Sequence, residues 1–159
     1  MREGVRLALD LGDARIGVAA CDHAAMLSFP VATIQAGDGE LERILAVVEE
    51  YAPVEVVVGL PRSLSGQEGP AAARIRVRTQ ALADRVSGLD PAPDVRLVDE
   101  RLTTVDASRR LREAGKNSRK QRSRIDAAAA VGILEHALEA ERHRGFPPGE
   151  LVSATVPSD

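Results

Sequence analysis

The stretch Val5-Arg6-Leu7-Ala8-Leu9-Asp10-Leu11-Gly12-Asp13-Ala14-Arg15-Ile16-Gly17-Val18-Ala19-Ala20-Cys21 reads as two apolar strands folded back on a tight, Gly-containing turn. A single acid, Asp10, stands near the end of the first strand. A carboxylate in a buried strand is costly unless it is paired or holds a cation. Two readings follow: Asp10 caps the turn through the backbone of Gly12 or Asp13, or it is a metal ligand.

Downstream of the hairpin the chain alternates between strand and helix periods. Phe29 to Ile34 forms a third strand, with Pro30 near its start, where a missing N–H is tolerated. From Glu40 to Tyr51, Leu41, Ile44, Leu45 and Val48 recur at helical spacing. The uninterrupted run Glu55 to Leu60 is what a central parallel strand buried on both faces requires. A polar loop over residues 61–70 follows, and Pro70 opens a helix that reaches Val86. Val95 to Glu100 is a fifth strand, and it too ends in acid. Thr103 or Thr104 caps a further helix ending at Gly115, and a last Ala-rich helix runs from Ile125 to about Arg144. This order predicts an α/β fold with a five-stranded mixed sheet: three strands in an antiparallel meander, later strands parallel, with helices flanking it. Residues 1–144 are expected to form one domain and residues 145–159, with their Pro, Ser and Gly, a loosely ordered tail.

Composition narrows the function classes. The 159 residues are 44% hydrophobic and 28% charged, enough for a full core in one domain. A net charge of −3 makes no general case for polyanion binding, so local charge must make it. Arg109, Arg110, Arg112, Lys116, Arg119, Lys120, Arg122 and Arg124 face Glu113 alone across residues 109–124. Such a block is either a solvated loop or a local grip on a polyanion. At 100° per residue, Arg74, Arg78 and Arg85 also share one side of their helix, as a second basic ridge or simply a solvated face. The lone Cys21 excludes an internal disulfide framework and reads as a small buried hydrophobe. Met1-Arg2-Glu3 leads into a strand with no apolar signal region, and no apolar run approaches a membrane span, so a cytoplasmic protein is expected.

Three acids stand where an α/β sheet builds sites: Asp10 ends the first strand, Glu100 ends the fifth, and Asp126 opens the last helix. Each has a simpler account: Asp10 as turn cap, Glu100 as ion-pair partner of Arg101 or a neighbour, Asp126 as a favourable charge at a helix N-terminus. Brought together, the three would repel one another. Mg²⁺ or Mn²⁺, hard cations that take oxygen ligands, would compensate that repulsion.

Four ordered motifs carry a family resemblance. They are Asp10-Leu11-Gly12 with Arg15-Ile16-Gly17-Val18-Ala19; Val58-Gly59-Leu60-Pro61 with Gly66 and Gly69-Pro70; Asp99-Glu100-Arg101-Leu102-Thr103-Thr104; and Ile125-Asp126 with Ala128-Ala129 and Ile133-Leu134. Over residues 5–138 the chain resembles the YqgF/RuvX family, whose members have a ribonuclease H-like fold. They are described as Holliday junction resolvases or as nucleases that process the 5′ end of pre-16S ribosomal RNA. The resemblance implies that Asp10, Glu100 and Asp126 form a catalytic, metal-binding triad using Mg²⁺ or Mn²⁺. Asp13 stands where an uncharged turn residue is expected, which would place a fourth acid near the site.

The implied chemistry is metal-dependent hydrolysis of phosphodiester bonds by one or two ions, with no protein nucleophile. The substrate would be structured RNA, foremost the pre-16S 5′ end in ribosome biogenesis, or branched DNA in recombination and repair. Lys116, Arg119, Lys120, Arg122, Arg124, Arg74 and Arg78 are the candidate backbone contacts. Phe29, Tyr51 and Phe146 are too few for a stacking platform. A homodimer is the arrangement that two symmetric cuts in a junction require. Two other classes compete: a nucleic-acid-binding assembly factor with little hydrolysis, and a fragment of an actin-like ATPase or sugar kinase, for which the chain has no second phosphate loop.

Overall fold

The computed structural model describes residues 1–100 and 119–155, and of residues 119–126 the backbone only. Among the described residues nine elements follow in order: β1 (Arg6–Leu11), β2 (Arg15–Cys21), β3 (Ser28–Gln35), α1 (Glu40–Tyr51), β4 (Glu55–Leu60), α2 (Pro70–Val86), β5 (Asp94–Asp99), α3 (Arg119–Arg144) and β6 (Glu150–Leu151). The strands form one sheet in the order β3-β2-β1-β4-β5-β6. β1, β2 and β3 are an antiparallel meander, β4 and β5 join β1 in parallel, and β6 returns antiparallel to β5. The sheet therefore has six strands, one more than expected.

The added strand comes from the expected tail. Val152 N–H donates to Val95 C=O at 2.8 Å, Gln80 Nε2 to Ser153 C=O at 2.8 Å, and Thr155 N–H to Asp84 Oδ1 at 2.6 Å. Pro147, Pro148 and Gly149 make the turn into β6, and these bonds tie residues 152–155 to β5 and α2. The last helix likewise begins before Ile125. Arg119, Lys120 and Gln121 are good helix formers, and the part of the charged run from Arg119 to Arg124 extends the helix. At the other end, Gly145 takes a left-handed φ of 79° and its N–H donates to Glu141 C=O, which closes α3. The helix expected between Thr103 and Gly115, and the basic residues 109–118, lie outside the described residues.

Strand alternation sorts the core into two layers. Leu7, Leu9, Leu11, Val56, Val58, Leu60, Val95 and Leu97 face α1 and α2, where Ile44, Val48, Ile75, Leu82 and Val86 complete a large-residue layer. The opposite face is built of smaller groups: Ala8, Ala19, Cys21, Val57 and Val98 meet Ala129, Ala130, Ile133, Leu134, Ala137 and Leu138 of α3. Alanine against alanine lets α3 approach the sheet closely. Cys21 is buried in this layer as expected, accepts Arg6 N–H at 3.2 Å, and burial pushes its thiol pKa up.

The amino edge of this thin layer is closed by charge. Arg2 Nη2 reaches Glu55 Oε2 at 2.8 Å and Glu141 Oε1 at 2.7 Å, Arg6 Nη2 reaches Glu141 Oε2 at 3.1 Å, and Arg96 Nε lies 3.1 Å from Glu55 Oε2. Arg6, Glu55 and Glu141 are each at most 3% exposed. This cluster clamps the C-terminal half of α3 to the starts of β1 and β4. Burial alone would push the Glu141 carboxyl up, but the hydrogen bonds from Arg2 outweigh it and hold it below the usual carboxylate range.

Glu141→Gln leaves Arg6 buried with one countercharge fewer, and the expected loss of unfolding free energy at pH 7 is about 3 kcal/mol, measured by urea titration. Because the folded-state pKa of Glu141 is depressed, its contribution is complete above the unfolded value of about 4.3 and is lost as pH falls through the folded value. The stability difference between the variant and the wild type should therefore begin to shrink as pH falls below about 4.3 and close only once pH is below the depressed folded-state value.

Candidate active site

At the opposite, carboxyl edge of the same thin layer stand Asp10 and Glu100. Asp10 follows Ala8 by two residues on β1, so it shares Ala8's face, toward α3; it pairs in register with Gly17 of β2 and is 1% exposed. On the other side β4 runs parallel to β1 with Leu9 beside Val58, and one residue further along the same register Asp10 and Gly59 follow in step. Gly59 in turn is paired with Val98 of β5. Glu100 lies two residues beyond Val98 and continues the ladder through its N–H to Leu60 C=O at 3.3 Å. Its side chain is 3% exposed and folds back over Gly59. A Cβ added at Gly59 would lie 2.8 Å from Glu100 Oε2.

Asp99 is excluded from this face. It pairs with Leu60 and alternates with Val98, on the side of the large-residue layer. Asp13 is exposed in the β1–β2 turn, so the added acid extends toward solvent. Asp126 belongs to α3, seven residues before Ile133, which packs over Gly59; its side chain lies outside the described residues. Two helical turns, about 10 Å of rise, carry the α3 backbone from Ile133 toward the edge where Asp10 and Glu100 sit. Among the described residues no three His, Cys, Asp or Glu side chains converge as a metal site. The two buried carboxylates on one face supply only oxygen donors, the chemistry a hard divalent cation takes.

The loop after β4 borders the same edge. Ser63 N–H donates to Gln67 C=O at 2.9 Å, Gly66 N–H to Ser63 C=O at 2.8 Å, and Gln67 N–H to Ser63 Oγ at 3.2 Å. Leu64 stands at its tip, 76% exposed. The loop base is fixed to α2 and β6 by Arg76, which donates to Glu68 at 2.7 and 2.8 Å and to Glu150 at 2.8 and 2.9 Å. Composition alone marked this segment as polar; its internal hydrogen bonds and its tie to β6 had no sequence signal.

The second basic ridge is largely committed elsewhere. Arg78 donates to Glu40 through Nε at 3.0 Å and Nη2 at 3.1 Å, and to Leu11 C=O through Nη1 at 3.2 Å. Arg85 Nη1 reaches Glu42 at 2.9 Å. Two of the three arginines thus join α2 to α1; Arg74 and Arg85 both lie exposed on the helix, Arg85 beside Glu42. Burial pushes the Glu40 carboxyl up, but the Arg78 hydrogen bonds outweigh it and its pKa lies below the usual range. Arg119, Lys120, Arg122 and Arg124 fall in the first turns of α3, with side chains outside the described residues.

A mixed sheet with an antiparallel meander, parallel β4 and β5, and an acid at the carboxyl edge defines a ribonuclease H-like α/β protein. The structure of T. thermophilus RuvC in complex with Holliday junction substrate has the same fold, with a TM-score of 0.53 and 18% identity over 91% of this chain and 98% of that one. The family described as RuvX, Holliday junction resolvase, matches residues 4–140, and the chain belongs to that family. A Streptomyces coelicolor protein named "Putative pre-16S rRNA nuclease" is 57% identical over 158 residues, covering 98% of this chain and 92% of its own length. A Nocardioides relative of the same name is 54% identical, covering 98% of this chain and all of its own.

Arg78→Gln should lower unfolding stability by about 1 kcal/mol, since a partly buried charged hydrogen bond to Glu40 and the tie to Leu11 are lost. The same variant should leave the salt dependence of nucleic-acid binding unchanged, because its guanidinium is already held by α1. A filter-binding titration across salt concentrations reads this directly.

Proposed function

We propose that the chain is a metal-dependent nuclease that hydrolyses phosphodiester bonds in structured nucleic acid, and that its substrate is the 5′ end of pre-16S ribosomal RNA. The observation that carries the reading is the pair of buried carboxylates, Asp10 and Glu100, facing α3 at the carboxyl ends of the parallel strands β1 and β5, which flank β4. The names of the relatives support the RNA substrate. The description of the matched family supports a second reading, cleavage of a four-way DNA junction.

Asp10, Glu100 and Asp126 would hold Mg²⁺ or Mn²⁺. When bound, such a cation supplies Lewis-acid charge to the scissile phosphate and lowers the pKa of an attacking water. The protein's part is to hold the carboxylates still. Asp10 pairs with Gly17 of β2, in a strand flanked on its other side by β4, so its ligand oxygens need little reorganisation. Glu100 is held over Gly59 by the ladder bond to Leu60, and α3 closes the site from above. Lys116, Arg119, Lys120, Arg122 and Arg124 would neutralise phosphates beside the site, with Arg74 on the far side. All three aromatic residues support recognition through backbone and shape: Phe29 pairs with Ala20, Tyr51 precedes β4 and Phe146 follows α3, each toward the opposite edge of the sheet. No helix among the described residues is long and apolar enough to cross a membrane, and the reading places the protein with ribosomes in the cytoplasm.

Asp10→Asn and Glu100→Gln should each lower kcat about 10³-fold, roughly 4 kcal/mol of barrier, with the fold intact by circular dichroism. Asp99→Asn, on the other face, should cleave within about threefold of wild type. Replacing Lys116, Arg119, Lys120 and Arg122 by Gln should flatten the slope of log K against log salt by about 3 while lowering cleavage at saturating substrate less than affinity. Wild-type cleavage by both acid variants at saturating metal would overturn the assignment.

A further inference from the structure

We infer that Gly59 is a positioning residue for the candidate active site, acting through the space it leaves empty; the inference rests on the metal-site reading above. Gly59 lies in the middle of the sheet, between the strand that carries Asp10 and the strand that leads to Glu100. A methyl group there would lie 2.8 Å from Glu100 Oε2, 2.6 Å from Ile133 Cδ1 and 3.1 Å from Ile133 Cγ1. The missing side chain is therefore occupied by two others: the carboxylate of one candidate ligand, and the α3 residue that seats the helix bearing another.

The two neighbours differ in how they can yield. Ile133 is 1% exposed, β-branched and enclosed by Val57, Val98 and Leu134, in a helix whose far end is clamped by Glu141 to Arg2 and Arg6. The Glu100 carboxylate is the far end of a flexible side chain one residue past the end of β5. Rotating it away costs less than lifting a close-packed helix. An added methyl at position 59 would therefore displace the carboxylate before it displaces α3. In chemical terms, Gly59 fixes where Glu100 presents its oxygens relative to Asp10, and no other residue type leaves that volume open.

The test is Mn²⁺ binding to the purified full chain without nucleic acid, read by titration calorimetry and by electron paramagnetic resonance of free Mn²⁺, in Gly59→Ala, Ile133→Val, Gly59→Ala/Ile133→Val and Glu100→Gln. Thermal midpoints are measured on the same samples. The expected result is that Gly59→Ala weakens Mn²⁺ binding about tenfold to a hundredfold, as loss of a positioning neighbour does, while Ile133→Val alone stays within about twofold of wild type. The double variant removes the Ile133 Cδ1 conflict, so it should regain thermal stability lost in Gly59→Ala and still bind Mn²⁺ weakly. A role in packing alone would move affinity and thermal midpoint together, and both would return in the double variant; that result, or wild-type affinity in a folded Gly59→Ala, overturns the inference. If Gly59→Ala folds poorly, the double variant against Ile133→Val gives the same comparison. Wild-type Mn²⁺ affinity in Glu100→Gln would instead overturn the metal-site reading itself.

Discussion

The close seating of α3 on an alanine-lined sheet face is the constraint on which the rest of the structure depends. Ala8 and Ala19 on the sheet meet Ala129, Ala130 and Ala137 on the helix, and little separates the two backbones. A layer this thin cannot hide polar groups in its middle, and its middle is apolar. Charge is placed at the two edges instead. At the amino edge, Arg2, Arg6, Arg96, Glu55 and Glu141 neutralise one another and fix the helix along its axis. At the carboxyl edge, Asp10 and Glu100 are acids of one sign.

That asymmetry separates stability from chemistry. The amino-edge cluster is paired within the chain, and breaking it costs fold energy because a buried charge loses its partner. In the proposed reading, the two acids of like sign at the carboxyl edge would gain from an added cation. The other face of the sheet, filled by large aliphatic residues under α1 and α2, carries most of the hydrophobic stabilisation and holds the carboxyl edge steady. Arg78 extends that support by joining α2 to Glu40 and to the end of β1 at Leu11.

The sheet was legible where burial is total or alternation is strict. Glu55 to Leu60 reads as a central strand because nothing polar interrupts it, and the period of two separates Glu100 from Asp99 without coordinates. Asp10 is conspicuous because a lone acid in such a strand demands an explanation. Other features left no trace. Arg2 and Glu141 meet across 139 residues, and neither is unusual in its own neighbourhood. The ridge on α2 was visible as a shared helix face, but helical spacing reports which residues lie together and not what they meet; Glu40 and Glu42 on α1 decide that. Gly59 could be read as part of a motif, whereas its physical contribution is an empty volume, which only the packed structure reveals. β6 escaped because two residues of strand are too short for any periodicity.

The most direct test of the account is product mapping on two substrates offered side by side, an RNA bearing the pre-16S 5′ extension and a synthetic four-way DNA junction, each with Mg²⁺ or Mn²⁺ and after chelation. The account predicts discrete cuts in the RNA at the boundary of the mature 5′ end, present with metal and absent without it. Cleavage that persists after chelation, or no cleavage of either substrate with metal present, would contradict it.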